Sequence, residues 1–209
     1  MKRFVLFIAI AMLMAGCANS FATGDSQRMH PHHHGSFDDV VLAQIPASRM
    51  FYETTLAGLE YRAANIVRGR MGNDARIVFQ TDDFQGGHNV VSFEIYEVIK
   101  GDLSAGQTIR IVEPYIIKDD ILLTYANYLP STPYHEYFFF LGAQLPNHLP
   151  EGFAGSFITI HGERSRFPVP DAARASIQAF NADELALGAY ADTEVYMSIW
   201  QEVIAAYMN

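Results

Sequence analysis

The sequence contains a single cysteine, Cys17, in 209 residues. One thiol cannot form an intramolecular disulfide, and by itself it cannot build a cysteine-based zinc site or an iron–sulfur centre. Positive charge is also scarce, because 14 lysines and arginines stand against 23 aspartates and glutamates, for a net charge of −9. Since the chain has no long basic run, we expect no binding to nucleic acid.

Complete catalytic motifs are missing as well. His135-Glu136 begins like the zinc-protease motif, but Phe139 occupies the position of the second histidine. The sequence has no Gly-x-Ser-x-Gly nucleophile elbow, no phosphate-binding loop and no dinucleotide fingerprint. Because no nucleophile, base and orienting group can be assembled from it, we expect a non-catalytic protein without a cofactor.

The N-terminus has the features of an export signal. Lys2 and Arg3 are positive, an uncharged apolar run extends from Phe4 to Met14, and the small residues Ala15-Gly16 precede Cys17. The run is shorter than the roughly 20 residues that a membrane-spanning helix needs. Two other interpretations are an ordinary signal peptide with an incidental cysteine and a buried N-terminal helix.

The string Met14-Ala15-Gly16-Cys17 resembles a bacterial lipobox. This resemblance implies that residues 1–16 are a lipoprotein signal peptide and that Cys17 becomes the N-terminus after cleavage. Its thiol then carries a covalent diacylglyceryl group, and together with an acyl group this attaches the protein to the membrane on its extracytoplasmic side. We therefore expect an exported, lipid-anchored protein of the cell envelope.

Residues 17–36 are polar and rich in small residues, which predicts a flexible tether. The tether contains His30, His32, His33 and His34. Imidazoles clustered on a flexible chain can bind zinc or another transition metal. They make a metal-capturing lipoprotein the alternative function, whereas a histidine-rich tether without a metal is the simpler interpretation.

Residues 37–170 alternate β-prone segments with turns, which predicts one β-barrel domain. The clearest strand is Val90–Lys100, and its apolar phase shifts at Tyr96 and Val98, which predicts either a bulge or burial on both faces. Tyr115–Leu129 fits either a helix or a hairpin, and β-prone residues on both sides of Asp119-Asp120 favour the hairpin. The other predicted strands are Ile66–Met71, Arg76–Gln80, Thr108–Glu113, a doubly buried Phe138–Leu141, and a hairpin of Phe157–Ile160 with Arg164–Val169.

Helices are predicted at both ends of this domain. Thr54 or Thr55 can cap a short helix that begins near Leu56. In residues 171–209, Asp171 can cap one helix and a second begins near Asp192, forming a helical segment packed on the barrel. The apolar stripe of the last helix consists of Val195, Tyr196, Ile199, Trp200, Val203 and Tyr207.

Leu56–Leu141 resembles a β-barrel domain found in secreted and lipid-anchored bacterial proteins. The resemblance is carried by Ala64–Arg70, Phe93–Gly101, Gly106–Ile109 and Tyr137–Leu141. This pattern is similar to the OB-like barrel of netrin and tissue-inhibitor-type domains. It implies a mainly β fold, a five-stranded OB-like Greek-key barrel with extra hairpins and C-terminal helices. The metalloprotease inhibitors of that fold use an unmodified N-terminal cysteine and disulfides, so we do not expect that mechanism here.

Tyrosines are concentrated between two of the predicted barrel strands, at Tyr115, Tyr125, Tyr128 and Tyr134. Tyrosine is common both at binding surfaces and in the packing of small barrels, so both roles are open. Together with the anchor, these residues predict a non-catalytic envelope lipoprotein whose barrel binds a protein or wall component.

The lipid anchor can be tested by metabolic labelling with a palmitate analogue. We expect the wild-type chain to be labelled and Cys17→Ala to remain unlabelled, because the acyl chains require the Cys17 thiol. Equal labelling of both proteins, or of neither, would contradict lipidation at this residue.

Overall fold

The computed structural model describes residues 41–45, 53–79, 87–118, 121–125, 128–170 and 193–208. The predicted signal peptide, Cys17, the histidine-containing tether and the predicted helix after Asp171 lie outside these residues.

Within this part of the chain, strands dominate and helices lie near each end. The strands are β1 (Val41–Ile45), β2 (Asn65–Met71), β3 (Arg76–Phe79), β4 (Gly87–Lys100), β5 (Thr108–Glu113), β6 (Tyr115–Lys118), β7 (Ile121–Tyr125), β8 (Glu136–Leu141), β9 (Phe157–Ile158) and β10 (Arg166–Pro168). The α-helices are α1 (Leu56–Arg62) and α2 (Thr193–Tyr207), and a 3₁₀ turn spans Gly162–Ser165. The prediction of a mainly β protein with a C-terminal helix is confirmed.

The main sheet is mixed and curled. Its strands follow the order β10-β8-β2-β4-β5-β9, with β3 also paired to β4. All neighbours are antiparallel except β5 and β9. Just after β9 the chain reaches β8, where Leu141 forms a bridge with Thr159 and the Gly142 N–H donates to the Ile158 carbonyl over 2.9 Å. A small second sheet has the order β1-β7-β6.

Strand β4 is the longest strand of the sheet, and its pairing with β2 is irregular. Val91, Phe93 and Ile95 are buried, as the alternation predicts. Its pairing with β2 skips one residue of β4 at Tyr96 and another at Ile99. These irregularities favour the bulge over burial on both faces, and an extra residue of this kind bends a strand and increases its twist.

Strand β8 separates two apolar cores. Phe138 and Phe140 belong to one cluster, whereas Tyr137, Phe139 and Leu141 belong to the other. All five side chains are buried, which confirms the prediction of a strand covered on both faces.

The first core lies under the two helices. Thr55 caps α1, since its hydroxyl accepts a hydrogen bond from the Gly58 N–H. Four residues of the predicted α2 stripe are buried in the same cluster as Leu56 and Leu59 of α1, namely Tyr196, Ile199, Trp200 and Val203. Helix α2 therefore docks through the face that its sequence period predicts.

One hairpin prediction is confirmed and another is wrong. Strands β6 and β7 pair antiparallel, in agreement with the favoured hairpin, and Asp119-Asp120 between them lie outside the described residues. Phe157–Ile160 and Arg164–Val169 do not pair with each other, because β9 runs parallel to β5 and β10 runs antiparallel to β8. Strand β9 pairs with the free edge of β5, and β10 pairs with the free edge of β8. The 3₁₀ turn lies between β9 and β10 in the chain.

Docking of α2 can be tested with Ile199→Asp. Ile199 is 0% exposed, so the substitution buries a carboxylate that has no partner, and we expect a loss of several kcal/mol in unfolding free energy. Ser198→Asp adds the same charge at the exposed neighbouring position and is the matched control. Thermal melting in which both variants behave like the wild type would contradict the docked helix.

Candidate binding site

The outer face of β2, β4 and β5 carries polar side chains in register. Along β4, Ser92 and Glu94 point away from the core because Val91, Phe93 and Ile95 point into it. Ser92 lies opposite Arg110 of β5, and Glu94 lies opposite both Thr108 of β5 and Arg70 of β2. The alternation therefore builds a polar surface across three strands.

This surface contains a shallow, open groove made of two basins. The first basin has a volume of about 370 Å³, and the second has a volume of about 210 Å³. Asp74, Arg76, Val90, Val91, Ser92 and Arg110 line the first basin. Arg70, Met71, Gly72, Ser92, Glu94, Thr108 and Tyr134 line the second. Because Ser92 belongs to both, we treat the two basins as one groove.

A loop between β8 and β9 bounds the groove at one end. Phe153 of this loop packs with Val78, Val90 and Val112, which lie on the outer face of β3, β4 and β5. The Arg110 guanidinium donates a hydrogen bond of 2.5 Å to the Ala154 carbonyl. Arg110 is therefore held at the rim where the loop meets the first basin.

Asp74 is fixed in the groove by Ser92. Its carboxylate accepts hydrogen bonds from the Ser92 N–H (2.9 Å) and the Ser92 hydroxyl (2.7 Å). Partial burial opposes ionisation, but these hydrogen bonds outweigh it and hold the pKa of Asp74 below its ordinary value. Gly72 makes the close approach possible, because a Cβ at this position would clash with the Ser92 hydroxyl. Asp74 is thus a charged carboxylate at neutral pH.

The two basins differ in their charge balance. In the second basin, Arg70 and Glu94 form an ion pair at 3.2 Å, so their charges cancel. Among the described residues that line the first basin, Arg76 and Arg110 are positive and one residue, Asp74, is negative. Within the described residues, Arg76 makes no hydrogen bond or salt bridge, although its charge acts on Asp74. The first basin therefore carries a net positive charge in a protein that is acidic overall.

A nearby histidine does not add to this charge. The sequence analysis did not place His88 in a strand, but it lies in β4 and packs edge-on against Phe153, with ring centroids 5.9 Å apart. Burial lowers the pKa of His88 to about 4, so its imidazole is neutral at physiological pH.

The predicted tyrosines do not share one surface. Tyr115 and Tyr128 are buried and pack with Leu122, which favours the packing role for both. The side chain of Tyr125 lies outside the described part of the structure. Tyr134 is 55% exposed and lines the second basin. Its backbone has a φ of 63°, and its N–H donates to the Met71 carbonyl.

A buried ion pair joins β5 to β10, and the sequence analysis did not predict it. The Arg166 guanidinium of β10 lies 3.3 Å from the Glu113 carboxylate of β5, and both side chains are 1% exposed. Glu113 also accepts hydrogen bonds from the Tyr128 hydroxyl (2.6 Å) and the Ser131 N–H (3.2 Å). Burial and the neighbouring carboxylate hold the pKa of Tyr128 well above 10, although the Arg166 charge opposes them.

Arg166 is also enclosed by aromatic and carbonyl groups. Its guanidinium lies 4.3 Å from the centre of the Tyr128 ring and donates to the Leu129 carbonyl over 2.8 Å. A charged residue at the end of an apolar strand, such as Glu113, is the one local signal that could have indicated a buried partner. The partner itself cannot be inferred, because 53 residues separate Glu113 from Arg166.

Several expectations lie beyond the described residues, and the comparisons add no relative. Cys17 and the cluster of His30, His32, His33 and His34 are not among the residues that the structure describes. Among those that it does describe, no three His, Cys, Asp or Glu side chains are grouped as a metal site. No helix in that part is both long and apolar enough to cross a membrane. No family model matches the chain, and no curated protein matches it.

The buried ion pair can be tested with Glu113→Gln. This change keeps the shape of the side chain but leaves the Arg166 charge buried without its counterion. We expect a loss of about 3 kcal/mol or more in unfolding free energy. Glu97→Gln is the matched control. Glu97 is half exposed, and its carboxylate lies as far as 4.0 Å from the Arg68 guanidinium. Exposed ion pairs of this kind contribute less than about 1 kcal/mol. Equal denaturation midpoints for the two variants would contradict a stabilising role for Glu113.

Proposed function

We propose that the protein is a non-catalytic, lipid-anchored envelope protein whose barrel binds a protein or wall component through the groove. The observation that carries this proposal is the groove itself, an open trough on the outer face of the sheet that includes charged and hydroxyl side chains. A trough that is open along its length suits an extended or surface-borne partner better than a small molecule, which is usually enclosed.

We further propose that the curled sheet is an OB-like Greek-key barrel. Strands β2, β4 and β5 form an antiparallel meander, β9 lies parallel to β5, and the bridge from Leu141 to Thr159 returns to β8 beside β2. This five-member cycle is the pairing order expected of an OB barrel. Such barrels bind ligands on the face of their second and third strands. In this chain those strands are β4 and β5, which form the floor of the groove.

The chemistry of the groove supports binding without catalysis. Among the described residues, its lining contains no histidine, which is the most frequent general base, and no cysteine or lysine. Its two carboxylates already have partners, because Asp74 accepts from Ser92 and Glu94 pairs with Arg70. These groups are arranged to present fixed charges and hydrogen-bonding groups to a partner.

The proposed lipid at Cys17 would keep this groove close to the envelope. Two or more acyl chains hold a protein firmly on a membrane, and binding then occurs at a high local concentration of any partner in the same envelope. The tether of residues 17–36 would let the barrel reach that partner.

The proposal can be tested by pull-down from detergent-solubilised envelopes of cells that produce the protein. Thr108→Trp places a large ring in the second basin at an exposed position, so we expect loss of the partner that the wild type captures. Ser198→Trp adds the same side chain to the exposed face of α2 and should capture the partner normally. Retention of the same partner by Thr108→Trp would contradict binding through the groove.

A further inference from the structure

We propose that the first basin binds a single carboxylate group of a peptide, held between Arg76 and Arg110. This inference rests on the proposed function, because it names the ligand chemistry of the same groove. The proposal makes the groove a peptide-binding site in which the first basin is a positively charged subsite for one carboxylate.

The register of three strands brings the two guanidinium groups to one basin. Arg76 of β3 pairs with Val90, and Arg110 of β5 pairs with Ser92, so the two arginines flank β4 from opposite sides. Neighbouring strands lie about 4.8 Å apart, which places β3 and β5 about 10 Å apart across β4. Both side chains line the first basin. Arginine side chains are long enough to reach one group from both sides, and their planar forks match a carboxylate.

The donors needed for this contact are not consumed within the described residues. Arg76 has no hydrogen bond or salt bridge in that part of the structure, and Arg110 uses one nitrogen to hold the Ala154 carbonyl. A guanidinium has five N–H donors, so each arginine keeps donors for a ligand. The contact with Ala154 holds Arg110 in place before any ligand arrives, which reduces the entropy lost on binding.

The charge balance indicates one negative charge rather than many. Among the described lining residues, Arg76 and Arg110 contribute two positive charges and Asp74 contributes one negative charge, so one carboxylate neutralises these three groups. Asp74 stays ionised because Ser92 donates two hydrogen bonds to it. The whole chain carries a net charge of −9, which disfavours a polyanion such as a nucleic acid or a polyphosphate.

The second basin suits the uncharged part of the same ligand. Arg70 and Glu94 neutralise each other there, Thr108 offers a hydroxyl, and Tyr134 offers an exposed ring. These groups can hydrogen-bond to backbone amides and contact a side chain. A peptide that passes over Ser92 from one basin to the other would meet both environments, and we therefore favour a peptide over a free small acid.

The test uses three synthetic peptides and the full chain in detergent micelles. The probes are acetyl-Ala-Ala-Tyr with a free carboxylate, the same peptide as its C-terminal amide, and acetyl-Ala-Glu-Ala amide. Binding is followed by the NMR shifts of the Arg76 and Arg110 Nε–H groups. We expect a Kd of about 1 mM or tighter for at least one carboxylate peptide, and at least about tenfold weaker binding of the uncharged amide. The two acidic probes distinguish a chain terminus from a side-chain carboxylate.

Substitutions assign the effect to the basin. Arg76→Gln and Arg110→Gln should each weaken binding of the acidic peptide by about fivefold or more. Lys100→Gln removes one positive charge from the far end of β4, the strand between the two arginines, outside the groove, and should leave the affinity unchanged. Arg76→Gln breaks no contact within the described residues, so it remains decisive even if loss of the Ala154 contact destabilises Arg110→Gln.

Three results would overturn the inference: no carboxylate probe binds, the amide binds equally well, or Arg76→Gln binds like the wild type. These failures are distinguishable from failure of the proposed function. If Thr108→Trp still abolishes partner capture while the peptides show no carboxylate dependence, the groove is a binding site for another chemistry. If Thr108→Trp captures the partner normally, the proposed function itself fails.

Discussion

The buried ion pair of Glu113 and Arg166 connects parts of the fold that lie far apart in the sheet. Glu113 ends β5, whereas Arg166 begins β10 at the opposite edge of the strand order. The backbone carbonyls of β10 accept hydrogen bonds from α2, through the Tyr196 hydroxyl to Arg166 and the Trp200 indole to Pro168. Because an unpaired buried charge is costly, β5 and β10 must come together for Glu113 and Arg166 to be paired, and α2 packs on β10 through its two hydrogen bonds.

The position of the groove follows from this constraint. Glu113 ends β5, and Arg110 lies three residues earlier, so the period of two places it on the opposite, outer face of the same strand. Ile109 and Ile111, on the inner face of β5, pack in the apolar core. The polar residues of β4 and β5 consequently cannot turn inward, and the groove is held open by the packing beneath it.

Local periodicity predicted much of the fold, and the failures came where pairing is long-range. The alternation in Val90–Lys100 located β4, although the strand begins three residues earlier, at Gly87. The unbroken apolar run at Phe138–Leu141 identified β8, since only burial on both faces tolerates it. The partners of β9 and β10 could not be predicted, because open sheet edges are a property of the assembled fold. The groove is assembled from several strands, so it is also a property of the assembled fold. The sequence analysis named Tyr134 as a binding candidate, but it named neither Arg76 nor Arg110.

The central claim is that the groove is where this protein meets its partner in the envelope. Site-specific photocrosslinking in living cells tests it most directly, with a benzoylphenylalanine replacing either of two exposed tyrosines. Tyr134 lies in the groove, whereas Tyr61 on α1 is 89% exposed and lies outside it. The account predicts a discrete crosslinked adduct from position 134 and none from position 61. An adduct formed from position 61 alone, or equally from both positions, would contradict it.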